Sequence, residues 1–135
     1  MLSLNRSSGS GYSVTDKYIV LQGIYRKLKT NKKKYFVLFS DSGEQPARIE
    51  YYDSEKKFRT RKEPAKRSIV LKECFHINKR VDTKYKYVIS IYTKDDCFCI
   101  IFESESDQNR WLKAMQTLVA NDDNSDGDKR TSFGE

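Results

Sequence analysis

Apolar and polar positions alternate with a period of two through most of this chain and switch to a period near 3.6 in its last third. Tyr18 to Leu28 mixes β-branched and aromatic residues, halts at Lys29-Thr30-Asn31 and resumes as Lys34-Tyr35-Phe36-Val37-Leu38-Phe39, which predicts a β-hairpin. After the turn chemistry of Asp41-Ser42-Gly43-Glu44, the run Ala47 to Tyr52 alternates as a half-buried strand does. Pro64 marks a loop within a charged stretch. Further strands are predicted at Ser68 to Leu71, Phe75 to Asn78, Tyr85 to Thr93 and Cys97 to Phe102, with a turn at Asp95-Asp96 between the last two. From Ser104 onward Trp111, Leu112, Met115, Leu118 and Val119 fall on one apolar stripe of a helix. Ser104 with Asp107 three residues on resembles a capping box, and the acidic Glu105 and Asp107 suit a helix N-terminus. Seven strands followed by one C-terminal amphipathic helix predict an α+β, mainly β fold: a curled antiparallel sheet with the helix over one opening.

Length and composition bound this reading. The 135 residues and 15.9 kDa suffice for one core. Residues 1–16, rich in Ser and Gly, read as a flexible leader, 17–121 as the domain and 122–135 as an acidic flexible tail. Nine Tyr, seven Phe and one Trp are too many for a chain disordered throughout. No apolar run reaches the roughly 20 residues of a membrane-spanning helix, and the first residues lack the apolar stretch of a secretory signal. Three cysteines cannot all pair with one another, so a reduced, intracellular protein is the simpler reading.

The formal charge of +7 is unevenly spread. Lys17 to Arg67 holds fifteen Lys/Arg against six Asp/Glu, whereas residues 68–121 hold eight against seven and the last fourteen hold two against five. The basic character belongs to one part of the domain and points to an anionic partner there.

Other chemistries find little support. Cys74, His76, Cys97 and Cys99 are soft metal ligands, but each pair is spaced i, i+2 on a strand, and the predicted Tyr85 to Thr93 strand would hold the pairs roughly 10 Å apart. No metal or other cofactor is expected, and the cysteines read as buried or half-buried thiols. His76, the only histidine, has no nucleophile motif beside it, and the six glycines form no phosphate loop, so catalysis is not expected. Nucleic-acid binding draws on the same positive charge but has no motif behind it. Lys129-Arg130-Thr131-Ser132 places basic residues before hydroxyls and is a candidate phosphorylation string.

Gly23-Ile24-Tyr25-Arg26-Lys27, Lys34-Tyr35-Phe36-Val37-Leu38 and the single Trp111 of the predicted helix resemble the recurring marks of a pleckstrin homology (PH) domain. Ala47 to Tyr52, Lys66-Arg67-Ser68-Ile69, Cys74-Phe75, Ile77 to Arg80, Tyr92-Thr93 and Glu103 to Trp111 are similar to the PH domain of the insulin receptor substrate family. The resemblance covers roughly residues 20–120. It implies a seven-stranded antiparallel barrel or sandwich of two nearly orthogonal sheets, four strands and three, capped by the helix. It also implies a non-enzymatic adaptor module in insulin or growth factor receptor signalling, cytoplasmic and peripheral at the inner face of the plasma membrane; a monomer is expected, though the sequence does not fix the oligomeric state.

In phosphoinositide-binding members of that family, cations from the end of the first strand and the start of the second converge on the head group. By that resemblance Lys27, Lys32 and Lys34 hold the phosphates, with Arg48 adding a cation from the third strand. Lys27 and Lys34 stand only seven residues apart, a shorter connection than in tight binders, so high affinity and strict selectivity do not follow. Lys29 and Lys33 would lie outside such a pocket. The block Ser54 to Arg67 supplies an auxiliary basic face through Lys56, Lys57, Arg59, Arg61 and Lys62, while Asp95 and Asp96 oppose it. Two partners therefore stay open: phosphoinositides or an anionic membrane surface, and acidic protein segments engaged with little lipid specificity.

Overall fold

The computed structural model describes residues 17–126. The leader read at residues 1–16 and the string Lys129 to Ser132 lie outside the described residues. In chain order the elements are β1 (Ile19–Lys27), β2 (Lys33–Phe39), β3 (Arg48–Tyr52), α1 (Glu55–Thr60), β4 (Arg67–Val70), a 3-10 turn (Leu71–Glu73), β5 (Cys74–Arg80), β6 (Val88–Thr93), β7 (Cys97–Ile101) and α2 (Glu105–Asp126). All seven expected strands are present. Two features differ from the sequence reading: the β3–β4 connection contains a helix, and α2 continues through residues 122–126, where a flexible tail was expected. No Pro or Gly interrupts the sequence between Asn121 and Asp126.

The strands form one antiparallel sheet in the order β4-β3-β2-β1-β7-β6-β5. Its two halves meet through a narrow seam, because β1 pairs with β7 only at Arg26↔Ile101 and Lys27↔Ile100. The rest of β1 pairs with β2 alone, so the two halves diverge from the seam and fold face to face. The edges β4 and β5 do not pair, which makes this an open sandwich and not a closed barrel. A recess of about 450 Å³ opens between β4 and the β6–β7 turn, lined by residues including Ser68, Val70, Thr93 and Lys94.

Alternation decides what lies inside. Tyr25, Phe36, Leu38, Ile49, Tyr51 and Ile69 from one half meet Ile89, Ile91, Phe98 and Ile100 from the other, with Trp111 and Met115 of α2 closing the core. Helix α2 rests on β5, the 3-10 turn and β6. The Ser104 hydroxyl accepts the Asp107 amide at 3.1 Å, as the expected cap requires. Trp111 Nε1 donates to the buried Tyr25 hydroxyl at 3.2 Å, and the two rings meet edge to face at 5.5 Å. Burial pushes the Tyr25 phenol above its ordinary pKa. The Tyr25 ring lies over Gly23, where an added Cβ would stand 2.8 Å from Cε2; the glycine is required by that close approach.

A second apolar cluster covers the outer face of β2 and β3. Tyr35, Val37, Phe39 and Tyr52 pack around Phe58, the one apolar residue of α1, which is fully buried. The Ser54 hydroxyl caps α1 by accepting the Lys57 amide at 3.1 Å. Arg61 follows in the left-handed region at φ 54°, with its Nε donating to the Phe58 carbonyl at 2.8 Å.

Candidate anion-binding site

The core-facing side of the sheet ends in charge at the open mouth between the halves. Strand alternation makes Lys27 continue the face of Tyr25, Lys34 that of Phe36, Asp53 that of Tyr51, and Arg67 that of Ile69. Lys27 Nζ donates to the Tyr51 hydroxyl at 2.9 Å and lies 4.9 Å from the Tyr51 ring centroid and 5.9 Å from that of Phe98. The two rings are stacked, 5.6 Å apart and 11° from parallel, so Lys27 sits above an aromatic floor that attracts a cation. Lys34 Nζ is bound to Asp53 Oδ1 at 2.6 Å, and Lys66 Nζ reaches Asp53 Oδ2 at 3.4 Å. Arg67 spans to Asp96 in the β6–β7 turn at 2.8 Å, its guanidinium 5.3 Å from the Phe98 ring centroid.

These pairs set the protonation of the acids. The Lys34 ammonium, donating to Asp53, holds that carboxyl below the usual carboxylate value, with Lys66 adding to the effect. Asp96 is lowered by the Arg67 guanidinium first, then by the Cys97 amide, and also by the field of Lys29. The Leu28 amide donates to the Cys99 carbonyl at 3.0 Å, tying the end of β1 to β7.

The expected site residues divide into three groups. Lys27 and Lys34 converge at the mouth. Lys29 and Lys32 stand exposed in the β1–β2 turn, whose reversal is made by Asn31 at φ 60°; Lys32 therefore precedes β2 and is not part of it. Lys33, exposed at the start of β2, is registered against Arg26 on the outer face, outside the mouth. Among the described residues, Lys29, Lys32 and Lys33 form no ion pair.

Arg48 is not brought to this site. It is registered against Phe39, at the far end of β2 from Lys34, and alternation puts it on the outer face with Glu50 and Tyr52. There it is buried, its Nε donating to Glu50 at 2.7 Å, its Nη1 to the Pro46 carbonyl at 3.2 Å, and its guanidinium 4.2 Å from the Phe39 ring centroid.

The auxiliary basic block is held in place by Phe58. Lys56, Lys57 and Lys62 line a recess of about 280 Å³ with Ser54, Thr60 and Glu63, and Lys57 touches Glu63 at 3.4 Å. Arg59 turns away to Glu55, Gln22 and the Tyr35 hydroxyl, and Arg61 stacks on Phe58 at 4.3 Å. The connection leaves the mouth at Asp53 and returns to it at Lys66, so its lysines hang from the same end as the β1–β2 turn.

Sequence reasoning did not place Tyr51, Asp53, Lys66, Arg67, Asp96 and Phe98 in one site. The period-two continuation Ile49, Tyr51, Asp53 carried the signal for the acid. Cys74, Cys97 and Cys99 are free thiols, and β6 lies between the strands that carry them, as expected. Burial pushes the Cys74 thiol up to about 11. Among the described residues no group of three or more His, Cys, Asp or Glu side chains is placed to share a metal ion. No helix among them is long and apolar enough to cross a membrane.

Comparisons with known proteins agree with this architecture. The chain is 46% identical over 121 residues to insulin receptor substrate 1 of Drosophila yakuba, a match covering 90% of this chain and 13% of that protein. It is 47% identical over 96 residues to insulin receptor substrate 1-B of Xenopus laevis, covering 71% of this chain and 9% of that one. The chain thus spans about an eighth or less of the length of these relatives. Among solved structures, the C-terminal PH domain of pleckstrin in complex with D-myo-Ins(1,2,3,5,6)P5 superposes with a TM-score of 0.57 at 24% identity, over 75% of this chain and 95% of that one. The family model for the PH domain matches residues 10–120. With the open seven-stranded sandwich, the helix over it and the mouth between its halves, this match shows that the chain belongs to the PH domain family.

Proposed function

We propose that this PH domain is a non-enzymatic, membrane-targeting adaptor module of an insulin receptor substrate-like scaffold, and that its mouth takes anionic head groups. One observation carries the reading: at the mouth, Lys34, Lys66 and Arg67 are each already paired with a carboxylate oxygen, of Asp53 or Asp96, the kind of acceptor that a phosphate also presents. The two carboxylates act as resident counter-ions, keeping the cations oriented while weakening their pull on an outside anion. Phosphate, with more charge and more acceptor oxygens than a carboxylate, competes for Lys34 and Arg67, while Lys27 and Lys32 add donors from the hairpin. The fold is compatible with such a ligand, since the pleckstrin domain cited above was solved with an inositol pentakisphosphate. Lys29, Lys33, Lys56, Lys57 and Lys62 then contribute less specifically, at about 1 kcal/mol for each cation held near an anionic leaflet. The module so built is peripheral at the cytoplasmic face of the plasma membrane, binds modestly and responds to salt.

A second reading has its own support. The Lys34–Asp53 pair supports it: a carboxylate is a partner that this cation already takes, and an acidic protein segment offers the same acceptor. Sedimentation with vesicles of constant total charge but varied phosphoinositide content, at two salt concentrations, separates the two. A head-group preference that survives higher salt and is lost in Lys27→Ala/Lys34→Ala, with the thermal transition retained, supports lipid recognition. Binding that follows charge alone and collapses with salt turns the search to an acidic partner.

A further inference from the structure

The outer face of the second sheet half carries a thiol pair that the mouth does not use. Cys97 and Cys99 stand two apart on β7, on the side opposite Phe98 and Ile100, with their sulfurs 3.7 Å apart. Cys97 is exposed and Cys99 buried. Across the sheet, the register places His76, Tyr92 and Cys97 in one row and Asn78, Ser90 and Cys99 in the next. Arg80 Nη1 lies 3.4 Å from Cys99 Sγ and is itself paired with Asp82 at 2.8 Å. Burial raises the Cys99 thiol above its ordinary value, and Arg80 offsets part of that rise.

We propose that Cys97 and Cys99 are a thiol–disulfide exchange site, in which Cys97 takes up a low-molecular-weight disulfide and Cys99 resolves it. The exposed Cys97 thiolate attacks one sulfur of the small disulfide, forming a mixed disulfide and expelling one small thiolate. The Cys99 thiolate, beside the Arg80 guanidinium, then attacks the Cys97 sulfur, closing the intrachain bond and expelling the second. The protein loses two electrons and two thiol protons, and the small disulfide is reduced to two thiols.

Closure has a structural consequence. Residues two apart on an extended strand have Cα atoms about 6.4–6.8 Å apart, the upper end of the roughly 4.4–6.8 Å that disulfides span. Bringing the sulfurs from 3.7 Å to about 2.05 Å draws the two Cα atoms toward the commoner separation of about 5.5–6 Å and so shortens β7 locally. The residue between the two cysteines is Phe98, the floor of the mouth under Lys27 and Arg67, and the residue before Cys97 is Asp96, the partner of Arg67. Oxidation on the outer face thereby disturbs the anion site on the inner one, a coupling that rests on the function proposed above.

The test uses this chain treated with oxidised glutathione, followed by alkylation in denaturant, mass analysis and vesicle sedimentation. The expected product has lost two hydrogens within the peptide holding Cys97 and Cys99, while Cys97→Ser gives no exchange at Cys99 and Cys99→Ser accumulates the glutathione adduct on Cys97. Cys97 and Cys99 both still alkylatable in the treated wild type, three thiols with Cys74 in place of the one expected, or a stable adduct despite Cys99, overturn the exchange site. Binding of the oxidised protein to anionic vesicles is expected to fall roughly fivefold, the worth of one cation at such a surface, with full recovery on reduction and no effect of treatment on Cys97→Ser/Cys99→Ser. Unchanged binding after the disulfide has formed overturns the coupling. Failure of the reduced wild type to bind vesicles refutes the membrane function but leaves the mass readout of the thiol pair intact.

Discussion

The β1–β2 turn and the β3–β4 connection are both basic and both hang from the open end of the sandwich, yet their cations are managed differently. Around the first, Lys27 and Lys34 point into the mouth and are satisfied there by Tyr51 and Asp53, while Lys29, Lys32 and Lys33 are exposed and form no ion pair among the described residues. In the second, Phe58 pins a short helix to the outer sheet face, and Arg59 and Arg61 are drawn toward that anchor. The first region invests in chemistry and the second in position. Substitutions should separate these roles cleanly: changes at the anchor should cost stability, and changes at the mouth should alter binding.

The largest effect is expected at Phe58. Its ring is fully buried against Tyr35 and Tyr52, with centroid distances of 5.5 and 5.1 Å. Phe58→Ala should lower unfolding free energy by about 3–5 kcal/mol, read from the midpoint of urea unfolding at unchanged slope. A loss under about 1 kcal/mol would mean that the connection is not anchored, and the contrast between the two regions would fail.

Next is the scaffold beneath the hairpin. Gly23→Ala forces the Tyr25 ring from its place and with it the hydrogen bond to Trp111. A loss of about 1–3 kcal/mol is expected, as for overpacking elsewhere, accompanied by a change in the fluorescence of Trp111, the only tryptophan.

Much of this was legible before the structure, and the parts that were not share a physical reason. Alternation located all seven strands, and the i, i+4, i+7 stripe located α2, because each element repeats its signal several times. Helix α1 has six residues and one apolar position, too short to display a period; the capping Ser54 before the acidic Glu55 and the lone Phe58 in a charged run were its traces. Arg48 was assigned to the phosphate site by resemblance, although its own strand argued otherwise: with Ile49 and Tyr51 facing the core, Arg48 and Glu50 must face away. Asp53 and Asp96 escaped notice as resident partners because that role depends on register and on the juxtaposition of two turns, neither of which a linear pattern encodes.

A smaller and opposite effect is expected when the resident acid is neutralised. Asp53→Asn leaves Lys34 and Lys66 without their carboxylate, so binding to anionic vesicles should rise roughly fivefold, about 1 kcal/mol, while Lys34→Ala should lower it by a similar factor. A fall in both variants would show that the Lys34–Asp53 pair shapes the mouth and does not compete with the ligand.

The smallest effect is the pH dependence of stability, and its sign follows from the acids at the mouth. Asp53 and Asp96 both have folded-state values below those of the unfolded chain, held down by Lys34 and Arg67. Each contributes stability that is fully present above the unfolded carboxylate value of about 4 and is lost as pH falls through the lower folded value. Both side chains are about a third or more exposed, so solvent screens the pairs and the contribution is small. Urea midpoints taken from neutral pH into the acid range should therefore decline less steeply in Asp53→Asn/Asp96→Asn than in the wild type, with the two curves converging at the acid end. Parallel curves would mean that the pairs orient the cations without stabilising the fold, and would confine the role of the β1–β2 region to binding.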